Sequence, residues 1–155
     1  MNVIIKKICN EEINEKYATE ELIKEQFTFS SHVYRLKSLI KWDYWAIFDD
    51  NKPIGFFCGT NVNRNRIKEI AKIMACSILP EYRGKGIGSQ AFGKMEEYYK
   101  ELNCTHFYAI VDDYSSETDA PQKRFFKKLG FTEICTSYDF NDDTDEVFSI
   151  MVKSL

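Results

Sequence analysis

Between Ile78 and Leu102 the sequence passes from apolar residues through Pro80-Glu81-Tyr82-Arg83-Gly84-Lys85-Gly86-Ile87-Gly88-Ser89 into an amphipathic run. Three glycines fall within five residues, at 84, 86 and 88. Glycine lets the backbone turn tightly and lets a ligand approach it closely. Upstream, residues 67–79 are rich in Ile, Ala, Met and Cys, and their second half reads as a buried strand. Downstream, apolar residues at 87, 91, 92, 95, 98, 99 and 102 mark a helix from Ile87 to Leu102. A buried strand handed through a glycine turn to a helix demands an α/β arrangement. The helix start offers unpaired N–H groups and the positive end of a dipole, and Arg83 and Lys85 add two charges. These residues suit a pyrophosphate; a purely structural turn is the other reading. A P-loop needs Gly-Lys followed by Ser or Thr, which does not occur, and Ser89 occupies the third glycine position of a dinucleotide fingerprint.

The rest of the chain fits the same class. Met1 to Ile8 alternates as a first strand and runs into a cap at Asn10-Glu11-Glu12. Ile13, Tyr17, Ile23 and Phe27 recur at helical spacing, and Ser30 or Ser31 caps a second helix carrying Val33, Leu36 and Ile40. Tyr44–Phe48 and Ile54–Thr60 flank the turn signal Asp49-Asp50-Asn51-Lys52-Pro53 and predict a hairpin. Phe107–Val111 reads as a strand, and residues 120–129 as a short helix with Pro121 in its first turn and Gly130 as its stop. Strands near 131–138 and 146–153 close the chain. The order β-α-α-β-β-β-α-β-α-β-β predicts an α/β domain with a mixed, mostly antiparallel central sheet flanked by helices.

Length and charge narrow the function. The 155 residues predict one domain over 1–155. A net charge of −3 argues against a general nucleic-acid backbone binder. No apolar run reaches membrane-helix length, and the N-terminus lacks a signal-peptide pattern, so the expected location is cytoplasmic. The cysteines at 9, 58, 76, 104 and 135 contain no CxxC pair, which argues against a disulfide framework or a zinc site. They read as small buried hydrophobes. Asp139 to Asp145 resembles a calcium loop only superficially, because Thr144 holds the glycine position and Ile150 the closing glutamate position. No metal is expected, and His32 and His106 receive no role.

Arg83-Gly84-Lys85-Gly86-Ile87-Gly88 resembles the signature of the GNAT superfamily of acyl-CoA-dependent N-acetyltransferases: Arg or Gln, two residues, Gly, one residue, then Gly or Ala. Ile78-Leu79-Pro80-Glu81-Tyr82 is similar to the strand end that precedes it in that family. Phe125-Phe126-Lys127-Lys128-Leu129-Gly130-Phe131 is similar to the family's second hallmark. The resemblance is strong over residues 67–131 and topological elsewhere.

The resemblance implies a GNAT-like domain that transfers an acetyl group from acetyl-CoA to a primary amine by direct attack. Arg83, Gly84, Lys85, Gly86, Ile87, Gly88 and Ser89 would hold the pyrophosphate. The backbone of Cys76 and Ile78 would meet the pantetheine arm and thioester, with the Ile78 N–H stabilising the oxyanion. The tyrosine that often protonates the departing thiolate is replaced by Phe126, and the asparagine seven residues earlier by Asp119. Tyr114 is a candidate substitute acid. The family's glutamate base falls by spacing on Lys72, with Glu69 the nearby carboxylate, so no single base emerges.

Acidic clusters at Asp112, Asp113, Glu117 and Asp119, and at Asp139, Asp142, Asp143, Asp145 and Glu146, read either as solvated loops or as walls attracting a cationic amine. Dimers are common in the superfamily, and the sequence identifies no interface. Phe126 and the missing base leave a non-catalytic acyl-CoA-binding sensor or partner module as the alternative.

Overall fold

The computed structural model describes residues 1–8, 42–61, 69–112, 121–139 and 146–155. Both helices expected between 11 and 40 lie outside these residues, as do Tyr114, Asp119, His32 and Cys9. The chain separates into two compact units, Met1–Thr60 with Ile73–Glu101, and Asn61–Lys72 with Leu102–Leu155.

In the first unit, β1 (Val3–Ile8) pairs antiparallel with β2 (Asp43–Asp49), Val3 opposite Asp49 and Ile8 opposite Tyr44. β2 forms the expected hairpin with β3 (Lys52–Asn61). The turn is tighter than the sequence suggests. Asp50 adopts a left-handed φ of 52°, and Lys52 and Pro53 already belong to β3. Pro53 faces Phe48 where the register slips, a position that tolerates a residue without an N–H. β4 (Ile70–Ile78) lies next to β3 and alternates half-buried and buried residues along its length. Tyr44 stacks on Phe56 at 5.4 Å within a cluster that includes Ile8, Ala46, Cys58, Ala75 and Leu79.

Helix α1 (Ile87–Glu101) buries Ile87, Gly88, Ala91, Phe92, Met95 and Tyr99. It stops one residue before the expected end: Asn103 turns left-handed at φ 60°, and Leu102 is exposed. Its last turns are tied to the strands through Asp43. That carboxylate accepts from Tyr99 Oη at 2.8 Å and Tyr98 Oη at 3.3 Å and pairs with Lys7 Nζ at 3.0 Å. The Lys7 ammonium also lies 4.7 Å from the Tyr98 ring centroid, within cation–π reach.

In the second unit, β5 (His106–Asp112) and β6 (Thr132–Asp139) both pair antiparallel with β7 (Glu146–Ser154). The β6 register slips between Glu133 and Cys135, leaving Ile134 exposed. Helix α2 (Pro121–Lys128) ends in a Schellman motif. Gly130, at φ 91°, donates to the Lys127 carbonyl at 3.0 Å, and Phe131 donates to the Phe126 carbonyl at 3.0 Å. The accompanying apolar contact is Phe126 against Phe131, edge to face at 5.1 Å. The Leu129-Gly130-Phe131 element is therefore a helix cap that fixes α2. Buried Lys123 on α2 pairs with Glu133 of β6 at 2.9 Å, and Glu133 also accepts from the buried Ser149 hydroxyl at 2.8 Å.

Candidate functional site

The end of β4 presents backbone rather than side chains. The Leu79 N–H donates to the Ile54 carbonyl on β3 at 2.9 Å. The Ser77 carbonyl oxygen lies so close to Gly55 that an added Cβ there would stand 2.7 Å from it. Odd-numbered residues thus direct their backbone groups toward β3. Because the peptide groups are trans and successive residues alternate, the N–H and C=O groups of Cys76 and Ile78 point away from β3. Arg83 then donates its Nε–H to the Ile78 carbonyl at 2.8 Å. The Ile78–Leu79 peptide is held on both sides, by Arg83 at its oxygen and by Ile54 at its N–H.

After β4 the chain makes a single 3-10 turn, Pro80–Tyr82, closed by Tyr82 N–H to Leu79 at 2.9 Å and Arg83 N–H to Pro80 at 3.1 Å. Gly84 and Gly86 follow with φ of 75° and 78°, a region L-residues avoid. A Cβ added at either would meet nothing within 4 Å, so the space beside both glycines is open. The Gln90 N–H donates to the Gly86 carbonyl at 3.1 Å as the first bond of α1. This leaves the N–H groups of Ile87, Gly88 and Ser89 in the first turn without intrahelical acceptors. No acidic residue occupies that turn, and Arg83 and Lys85 are exposed beside it. Unlike Gly84 and Gly86, Gly88 is buried, together with Ile87, in the first turn of the helix. The geometry suits a diphosphate, whose oxygens accept from backbone N–H groups at the positive end of a helix dipole.

The remaining sequence candidates fall in different places. Phe126 is buried between Phe125 and Phe131 in the second unit. Glu69 is exposed; its backbone carbonyl accepts from Thr105 N–H at 2.7 Å and His106 N–H at 3.3 Å. Lys72 places its ammonium 5.4 Å from the Tyr108 ring centroid. Burial pushes the Cys76 thiol up to about 12 and the Cys58 thiol well above its ordinary value, so neither supplies a thiolate near neutral pH. Among the described residues no cluster of His, Cys, Asp and Glu suits a metal, and no helix is long and apolar enough to cross a membrane. Two residues were missed in the sequence. Gly55, a glycine inside a strand, carries the signal of a close backbone approach; Lys52, near the glycine loop only in three dimensions, carries none.

The pattern of the acetyltransferase (GNAT) family matches residues 16–131. An uncharacterized N-acetyltransferase of Methanocaldococcus jannaschii is 28% identical over 118 residues, covering 68% of this chain and 50% of the relative. The chain therefore spans about half the length of that relative. Among solved structures, the ribosomal-protein-S18-alanine N-acetyltransferase of Escherichia coli superposes with a TM-score of 0.75 at 15% identity, covering 99% of this chain and 94% of that one. A GNAT family acetyltransferase of Elizabethkingia anophelis with acetyl-CoA bound gives 0.75 at 13% identity, covering 99% of each chain. The α/β fold with its seven-stranded, mostly antiparallel sheet is the fold of these enzymes. With the family pattern running through the glycine loop and the α2 cap, the chain belongs to the GNAT acetyltransferase family.

Proposed function

We propose that residues 1–155 form one N-acetyltransferase domain that moves an acetyl group from acetyl-CoA to a primary amine by direct attack. One observation carries this reading: the open, positive-φ turn at Gly84 and Gly86, set before an acid-free helix start and after a strand whose Cys76 and Ile78 backbone groups point away from β3. The acetyl-CoA bound to the Elizabethkingia anophelis neighbour supports the choice of ligand.

Residues 83–89 hold the pyrophosphate through backbone N–H groups and the Arg83 charge, with Lys85 adding positive charge beside them. The backbone of Cys76 and Ile78 aligns the pantetheine arm. The amine nitrogen bonds to the thioester carbon, and the Ile78 N–H stabilises the negative charge that develops on its oxygen. The C–S bond then breaks, the thiolate leaves to be protonated, and the new amide nitrogen gives up its proton. Raised thiol pKa values at Cys58 and Cys76 favour this route over an acyl-cysteine intermediate. Phe126 has no proton to give, so thiolate protonation falls to Tyr114 or to water. Glu69 remains the candidate base, beside a water chain. Asp119 and Phe126 belong to the cofactor side of the site in this reading. The acidic loops favour a cationic acceptor in the cytoplasm, and a homodimer is compatible with this reading.

Thiol release from acetyl-CoA, measured against small amines, peptides and protein N-termini, tests it. Turnover with an amine is expected; tight acetyl-CoA binding without turnover on any acceptor refutes catalysis. The second reading, an acyl-CoA-binding sensor, draws on the burial of Phe126 between two phenylalanines, where no hydroxyl acid is offered.

A further inference from the structure

Tyr82 gathers positive charge beside the glycine loop. Lys85 Nζ lies 5.3 Å and Lys52 Nζ 5.7 Å from the centroid of its ring, both within cation–π reach. The ring is itself fixed to the β2–β3 hairpin. Its hydroxyl donates to Asp49 Oδ2 at 3.3 Å, and Asp49 Oδ1 accepts from the Asn2 N–H at 2.9 Å. Lys52 opens β3 at the other side of the same hairpin and reaches Glu81 at 3.6 Å.

The two ammonium groups therefore stand at most about 11 Å apart. Asp49 and Glu81 are the carboxylates beside them. Asp49 is engaged by Tyr82 and Asn2, whereas Glu81 and Lys52 are both more than half exposed. An exposed pair of that kind is weak, so Lys52 exchanges Glu81 for a phosphate at little cost.

The turn at residues 84–89 meets one charged group with backbone N–H donors. The two lysines, both against the ring of Tyr82 next to that turn, suit a second anionic group. Coenzyme A carries such a pair, a pyrophosphate and a 3′-phosphate on the adjoining ribose. We propose that Lys52 and Lys85, held on the Tyr82 ring, form the subsite for the 3′-phosphate of coenzyme A. The subsite rests on the acetyl-CoA reading above and adds to it a hairpin residue that lies outside the glycine motif.

Calorimetry with acetyl-CoA and with 3′-dephospho-CoA on the wild type, Lys52→Met and Lys52→Arg tests this, with thermal melts confirming that each variant folds. The wild type should bind acetyl-CoA about five- to tenfold more tightly than the dephospho compound. Lys52→Met should weaken acetyl-CoA about three- to fivefold and leave 3′-dephospho-CoA unchanged, and Lys52→Arg should restore the difference. Equal wild-type affinity for the two ligands overturns the subsite and leaves the acetyl-CoA reading standing. A Lys52→Met loss of equal size for both ligands also overturns it. If neither ligand binds the wild type, the proposed function fails, and the subsite fails with it.

Discussion

A methyl group at Gly55 acts on the site through the sheet. The new Cβ would stand 2.7 Å from the Ser77 carbonyl oxygen, about 0.7 Å short of the 3.4 Å at which ordinary contact begins. It would also crowd Ile78 Cγ1 at 3.1 Å and Ile47 Cδ1 at 3.2 Å. Ile47 Cδ1 ends its side chain and can yield; Ile78 Cγ1 moves only with rotation at the stiff χ1, and the carbonyl is backbone and moves only with β4. Overpacking of this kind costs about 1–3 kcal/mol, partly offset by about 0.5–1 kcal/mol because alanine loses less entropy than glycine. The net of about 1–2 kcal/mol corresponds to a drop in Tm of roughly 2–8 °C for a chain of this size. The Ser77–Ile78 peptide moves as one plane, so the Ile78 N–H shifts with the carbonyl. A whole oxyanion donor is worth about 10²–10³ in kcat, so a shift of several tenths of an ångström should cost about tenfold. The KM for acetyl-CoA should change less than about threefold, because residues 84–89 are untouched. Thermal melts and thiol-release kinetics on Gly55→Ala measure both effects. An unchanged Tm with wild-type kcat refutes the close approach as a mechanical link. A rise in KM without a fall in kcat refutes the assignment of the donor.

Other perturbations isolate single parts. Gly86→Glu should abolish coenzyme A binding by calorimetry in a folded protein, and unchanged affinity would sink the assignment of the loop. Gly84→Ala adds a methyl in open space at φ 75°, so it should cost about 1–2 kcal/mol of strain in unfolding experiments, without a steric term. Arg83→Met removes the 2.8 Å bond to the Ile78 carbonyl as well as a phosphate charge, so it should lower kcat in addition to raising KM. A change in KM alone would reduce Arg83 to a phosphate contact. Lys123 and Ser149 hold the Glu133 carboxyl below its ordinary value of 4.5. Its contribution is therefore fully present above that value and lost as pH falls through the lower folded-state value. Denaturant unfolding should show the stability gap between wild type and Glu133→Gln closing below about pH 4.5, and a gap that persists unchanged at pH 3 would contradict the pairing.

The readable parts of the chain were those with local causes. The glycine loop, the helix after it and the Gly130 stop each follow from backbone preference or apolar period within a few residues. Errors came at ends: Pro53 reads as turn but sits in β3, because a register slip lets a residue without an N–H into the ladder. Leu102 continues the apolar period, yet Asn103 turns left-handed and ends α1. What the sequence concealed is long-range pairing. Asp43 collecting Lys7, Tyr98 and Tyr99, and Lys123 meeting Glu133, join residues whose polar side chains carry no signal of their partners. The base and acid stayed unassigned for a related reason: proton transfer depends on side-chain placement, and the family positions for it hold Lys72 and Phe126.

The alternation along β4 has an evolutionary consequence. At Cys76 and Ile78 the groups aimed away from β3 belong to the main chain, so any residue that keeps the strand keeps the donor. Gly55 has less latitude because a Cβ would meet the Ser77 carbonyl, and Gly84 and Gly86 because their φ is positive. A backbone built this way can exchange most of its letters and keep its course, which accords with a shared fold at 15% identity or below.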